Sequence, residues 1–198
     1  MRATRRLSQA ISEGDGISVL VPVADLDSAQ AAEAQGAEGI ILRASLERVR
    51  DATTLPILWG LDGSPDAARG AGADACLLIV QRLGEDGERL TELHAEVQGL
   101  GLECVVGVSD EEELELALAT ADPEIFLLTS PAVDDDEEAV LERVLDLLPD
   151  VPAGKLAIAD VAVGSREQVM ALERAGIDAV IVRAGDVAHL VGGRPPAV

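Results

Sequence analysis

The sequence predicts an α/β protein folded as a closed (β/α)8 TIM barrel. Three observations predict it. Eight short, continuous apolar runs alternate with helix-like runs from residue 17 onward, and such blocks are expected of strands buried on both faces of a parallel sheet. The helix-like runs have marked polar starts and glycine ends. No linker or shift of composition divides the 198 residues, a length that suits one domain with a sizeable core. An open doubly wound sheet is the competing reading. It usually needs fewer strands, and no Gly-x-Gly-x-x-Gly turn is present to make a dinucleotide site. The Gly-Asp-Gly at 14–16 precedes the first strand, on the wrong side of it.

In chain order, residues 1–16 form an N-terminal segment with a short helix near 5–12, placed to cover the barrel floor. Residues 17–192 form the barrel, and 193–198, with Pro195-Pro196, form a frayed tail. The strands are expected at 17–23, 39–42, 56–61, 75–80, 103–108, 124–128, 156–159 and 179–182. Segments such as 88–99 and 137–148 carry helical spacing. Ser64 before Pro65 reads as an N-cap followed by the first helical residue. Ser109 with Glu112, and Ser165 with Gln168, read as capping boxes. Gly36, Gly101 and Gly176 suit left-handed helix ends. Gly36-Ala37-Glu38, Gly72-Ala73-Asp74 and Gly176-Ile177-Asp178 recur before strands, the echo expected when similar units repeat.

Composition excludes several functions. Trp59 and Phe126 are the only aromatic residues and tyrosine is absent, so single-stranded nucleic acid finds no stacking platform. The net charge of −22 repels a phosphate backbone and an anionic membrane alike. No apolar run approaches the ~18 residues of a membrane span, and no signal-peptide core follows the basic start. These features point to a cytoplasmic protein with no nucleic-acid or membrane partner. The acidity suits a salt-adapted or GC-rich source, or alternatively a basic protein partner. Cys76 and Cys104 lie inside apolar runs and read as core thiols. His94 and His189 have no second ligand at metal spacing. The acidic run 134–138 suits the positive end of a helix better than a cation. No metal and no cofactor is expected.

The stretch 72–80, Gly-Ala-Asp-Ala-Cys-Leu-Leu-Ile-Val, and the stretch 101–115, Gly-Leu-Glu-Cys-Val-Val-Gly-Val-Ser-Asp-Glu-Glu-Glu-Leu-Glu, resemble strands 4 and 5 of indole-3-glycerol-phosphate synthase. Residues 55–58, 165–169 and 175–182 are similar to further parts of the same barrel, so the resemblance covers 17–186 and is specific over 72–118. It implies a phosphate-binding barrel and a carbon–carbon lyase of tryptophan biosynthesis. The residues that carry that chemistry are replaced. Val19-Leu20-Val21 stands where the family has Glu and Lys, and Gly60 falls in the stretch of the catalytic Lys. Gln81 replaces a Lys, Gly107 a Glu, Thr129 an Asn, and Arg183 a phosphate-side Gly. Asp160 replaces a Glu, one methylene shorter. Lys155, the only lysine, opens strand 7 and should face the far end of the barrel. The loops after strands 1 to 3 are short beside the family's, giving a compact barrel with a trimmed C-terminal face.

What remains at that face is Arg43, Arg82 and Arg183 at strand ends, with Gly185 opening the last helix. These could hold a phosphate or carboxylate, or each arginine could pair with a neighbouring acid. Thr129 and Ser130 could add hydrogen bonds. Asp62 and Asp160 are candidate acid–base residues. Two functions follow: a barrel without synthase activity that acts as a binding or regulatory protein, or an enzyme of different chemistry that takes a small phosphorylated or carboxylated metabolite. A mouth filled by side chains such as Trp59 favours the first, and an open pocket ringed by arginines and Asp160 favours the second.

Overall fold

The computed structural model describes residues 6–14, 16–61, 64–84, 87–130, 137–182 and 187–190. Eight parallel strands close in sequence order, each paired with its chain neighbours and β8 returning to β1. They are β1 (Ser18–Val23), β2 (Gly39–Leu42), β3 (Ile57–Trp59), β4 (Ala75–Ile79), β5 (Glu103–Val108), β6 (Ile125–Leu128), β7 (Leu156–Ala159) and β8 (Ala179–Ile181). The helices are α1 (Arg6–Glu13), α2 (Leu26–Ala34), α3 (Val49–Ala52), α4 (Pro65–Gly70), α5 (Val80–Leu83), α6 (Gly87–Gly99), α7 (Glu111–Thr120), α8 (Glu137–Leu147), α9 (Arg166–Ala175) and α10 (Val187–Leu190).

Period-two alternation sorts each strand's side chains into two cores. Leu20, Ile41, Leu58, Leu77, Val105, Leu127, Ile158 and Ile181 fill the barrel interior. Val19, Val21, Leu42, Trp59, Leu78, Val106, Phe126 and Val180 face outward against the helix ring. Because both faces are buried, the strands read as unbroken apolar runs. Leu7 and Ile11 of α1 join the interior core from below and close the floor. Glu103, at the start of β5, accepts the backbone N–H groups of Leu7 and Ser8 at 2.7 and 3.1 Å, which caps α1. Burial pushes the Glu103 carboxyl above its ordinary range, against the pull of those donors.

The Gly-apolar-acid echo has a structural meaning. Gly36, Gly72, Gly101 and Gly176 take φ of 90°, 76°, 75° and 106°, the left-handed helix end that glycine adopts without steric cost. The following apolar residue is buried and donates its N–H back to the preceding helix, as in Ala37 to Ala32 and Ile177 to Leu172. The acid then holds both backbone groups of one residue on the preceding strand. Glu38 N–H donates to the Val19 carbonyl while its carboxylate accepts from Val19 N–H. Asp74 does the same to Ile57, and Asp178 to Ala157. Three strand pairs, β1–β2, β3–β4 and β7–β8, thus share one clasp at the floor. Asp74 also anchors Arg6 and Arg50.

The helix starts differ in one place from expectation. Ser64 and Ser165 cap α4 and α9 through their side chains. The N-cap of α7 is Asp110, one residue later than Ser109, because the Asp110 carboxylate accepts from Glu113 N–H. Ser109 is left free to bind the Glu113 carboxylate instead. Residues 134–136 of the acidic run lie outside the described residues, while Glu137 and Glu138 occupy the first turn of α8.

Candidate functional site at the barrel mouth

The C-terminal strand ends surround a cavity of about 570 Å³, within the range of small-molecule pockets. Its floor is apolar, made by Ile41, Leu61, Leu77, Ile79 and Leu127, and its rim is polar. Inward positions at the strand ends supply the rim: Arg43 after β2, Gly60 after β3, Gln81 and Arg82 from α5, Ser109 after β5, Thr129 and Ser130 after β6, and Asp160 after β7. The connections are short. Residues 24–25 join β1 to α2, 60–64 join β3 to α4, and α5 starts directly after β4.

Of the sequence candidates, Arg43, Arg82, Thr129, Ser130 and Asp160 come together on this one cavity. Asp62, Arg183 and Gly185 lie outside the described residues. Trp59 points away, into the helix–sheet layer, and is 3% exposed. Among the described residues the mouth is therefore open, the arrangement that favours an enzyme taking a small metabolite. Lys155 sits at the opposite end, where its ammonium meets Asp122.

The rim charges are disposed in two ways. Arg43 Nη2 donates to Asp160 Oδ2 at 2.6 Å, a bond thrown across the ends of β1 and β8. Asp160 thus answers a neighbouring arginine, one of the two roles open to that arginine in the sequence. Arg82 has no acidic partner among the described residues: its Nη1 donates to the Leu61 carbonyl at 2.9 Å. Ser130 Oγ accepts from Arg143 at 2.8 Å, which ties it to α8. A carboxylate that sequence reading missed also lines the cavity. Glu113 Oε2 accepts from Ser109 N–H at 2.7 Å and from Ser109 Oγ at 2.8 Å. The signal for it was Ser109-Asp110 followed by three glutamates, with the helix start set one residue too early. No group of three metal-ligating side chains occurs among the described residues.

Two glycines at inward positions, on or just after a strand, leave little room for a side chain. A Cβ built on Gly60 would stand 2.8 Å from both Cγ1 and Cδ1 of Ile41. One on Gly107 would stand 3.3 Å from Ile79 Cγ1 and 3.5 Å from Leu77 Cδ1. On β1, alternation turns Val21 outward with Val19 and Val23. The residue sharing the inward face of Leu20 is Pro22, which also has no proton to give.

Known proteins place the chain. A solved mutant tryptophan synthase alpha-subunit from Pyrococcus furiosus superposes with a TM-score of 0.65 at 14% identity, over 90% of this chain and 98% of that one; at that identity the match speaks for the fold. An indole-3-glycerol phosphate synthase of Variovorax paradoxus (strain S110) is 34% identical over 142 residues, 69% of this chain and 52% of the relative. The chain spans about half the length of that curated relative. A family model described as indole-3-glycerol phosphate synthase matches residues 64–186, from α4 to the end of the barrel, and with that match over more than half its length the chain belongs to the indole-3-glycerol phosphate synthase family.

Proposed function

We propose that this barrel binds a small ligand at its mouth without carrying out the synthase's ring closure, acting as a binding or regulatory member of the family. The observation that carries the reading is the crowding of the Gly60 position by Ile41, with a tight but tolerable fit at Gly107 against Ile79 and Leu77. Where the resemblance calls for a lysine ammonium and a carboxylate, the walls now present alkyl groups. Removing one preorganised charged donor typically costs ~10²–10³ in rate, and here several are gone together. The cavity, with an apolar floor and a polar rim, supports ligand binding. The second reading, an enzyme of different chemistry on a phosphorylated or carboxylated metabolite, draws on the open mouth and on Glu113. Against it, Asp160 is engaged by Arg43.

The test is an assay of the purified full chain with the synthase's substrate, alongside a thermal-shift screen of phosphorylated and carboxylated metabolites. The expected result is no indole-3-glycerol phosphate above background and a raised melting temperature with at least one ligand, since a ligand that binds only the folded form must stabilise it. Turnover that disappears in Asp160→Ala would overturn the proposal.

A further inference from the structure

Building on the reading of the mouth as a ligand site, we infer that the ligand is a dipolar ion: one anionic group, one ammonium group and an apolar body. Among the described residues, the cavity's charged groups divide into a pair that satisfies itself and two that do not. Arg43 and Asp160 neutralise each other at 2.6 Å. Arg82 and Glu113 lie at the ends of the neighbouring units β4–α5 and β5–α7, and both line the cavity. Among the described residues they form no ion pair with each other or with any other group; Arg82 holds only the Leu61 carbonyl and Glu113 only Ser109.

Each retains bonding capacity directed by its anchor. A guanidinium has five N–H donors, and one of Arg82's is committed to Leu61. Both Ser109 bonds fall on Glu113 Oε2, which leaves Oε1 for a ligand. The two Ser109 donors also fix the carboxylate in place, so little ordering is needed on binding. A purely anionic ligand would satisfy Arg82 and be repelled by Glu113, and a purely cationic one would meet the reverse. A molecule with both charges satisfies both, and its apolar part rests on Leu77, Ile79 and Leu127. A ligand whose two charges cancel is neither attracted nor repelled strongly by the acidic field of the whole chain.

The test uses three probes with one apolar body: L-phenylalanine, 3-phenylpropionate and 2-phenylethylamine. Each is titrated calorimetrically into the 198-residue parent chain, Glu113→Gln and Arg82→Gln. The amide oxygen introduced by Glu113→Gln keeps an acceptor for Ser109, and unchanged melting curves confirm that each variant is folded. Phenylalanine should bind the parent at least about tenfold more tightly than either singly charged analogue, the size expected of one charge-assisted bond. Glu113→Gln should weaken phenylalanine about tenfold and tighten 3-phenylpropionate by relieving its repulsion, while Arg82→Gln should weaken phenylalanine and tighten 2-phenylethylamine. Equal parent affinity for phenylalanine and 3-phenylpropionate, unmoved by Glu113→Gln, would overturn the dipolar ligand and leave the anion-binding mouth standing. Binding of none of the three would also overturn it; a further titration with inorganic phosphate then shows whether the mouth binds an anion at all.

Discussion

At the scale of single residues, the barrel wall is set by side-chain volume as much as by charge. Gly60 is confined by Ile41, whose terminal carbons stand where a Cβ would need room. Gly60→Ala should therefore destabilise the chain by about 1–3 kcal/mol, the usual cost of overpacking, measured by urea denaturation. Ile41→Ala creates a cavity and costs about 2–5 kcal/mol alone. The double variant should be more stable than the sum of the two losses by at least ~0.5 kcal/mol, because each change relieves the other. Strict additivity would show that Ile41 does not hold that position shut. Burial also raises the Cys104 thiol, with Cys76 opposite it in the strand register adding to the effect. Both thiols should stay unreactive toward Ellman's reagent until the protein is unfolded.

At the scale of elements, the floor is where helices and strands are clasped. The Asp178 carboxylate accepts from Ala157 N–H at 2.8 Å. Asp178→Ala leaves that N–H without a partner and should cost about 1–3 kcal/mol; Asp178→Asn, which keeps an acceptor, should cost distinctly less. A similar loss in both would place the effect elsewhere. Glu103 docks α1 and carries a raised pKa through desolvation. The folded state therefore holds its proton to higher pH than the unfolded chain does. Stability from this group is full below the ordinary glutamate value, about 4.3, and declines as pH rises through the raised folded value. The stability of the parent relative to Glu103→Gln should accordingly fall as the pH is raised from about 4 towards neutrality. A difference that stays flat or rises over that window would show that the α1 amides outweigh burial.

At the scale of the whole molecule, 37 acidic residues face 15 lysines and arginines. Exposed pairs such as Arg48–Asp51 and Arg89–Glu92 can compensate little of this, since each contributes about 0.2–1 kcal/mol. Self-repulsion should dominate the salt response, so added NaCl should raise the melting temperature as the Debye length shortens. A melting temperature that is constant or falls would mean that local pairs outweigh the net charge. No helix among the described residues is long and apolar enough to cross a membrane.

The sequence by itself determined the architecture, because strands buried on both faces must be apolar throughout and helix ends must be capped locally. β2, β5 and β7 fall at the residues expected from the sequence, and the glycine ends appear at Gly36, Gly101 and Gly176. The recurring Gly-apolar-acid pattern was legible as a repeat, but its clasp was not, since Asp178 meets Ala157 only once β7 and β8 are side by side. The arginine-lined mouth was likewise legible in part: strand-end positions converge in any closed barrel, which brought Arg43, Arg82, Thr129 and Asp160 to one cavity. Tertiary structure alone decided how their charges are used. Arg43 reaches Asp160 across 117 residues of sequence, Ile41 fills the space beside Gly60, and Ser109 turns Glu113 toward the mouth. The first two are contacts between side chains on different units, and the third depends on where β5 ends against the cavity. Periodicity, which reports only which face of its own element a residue occupies, cannot specify them.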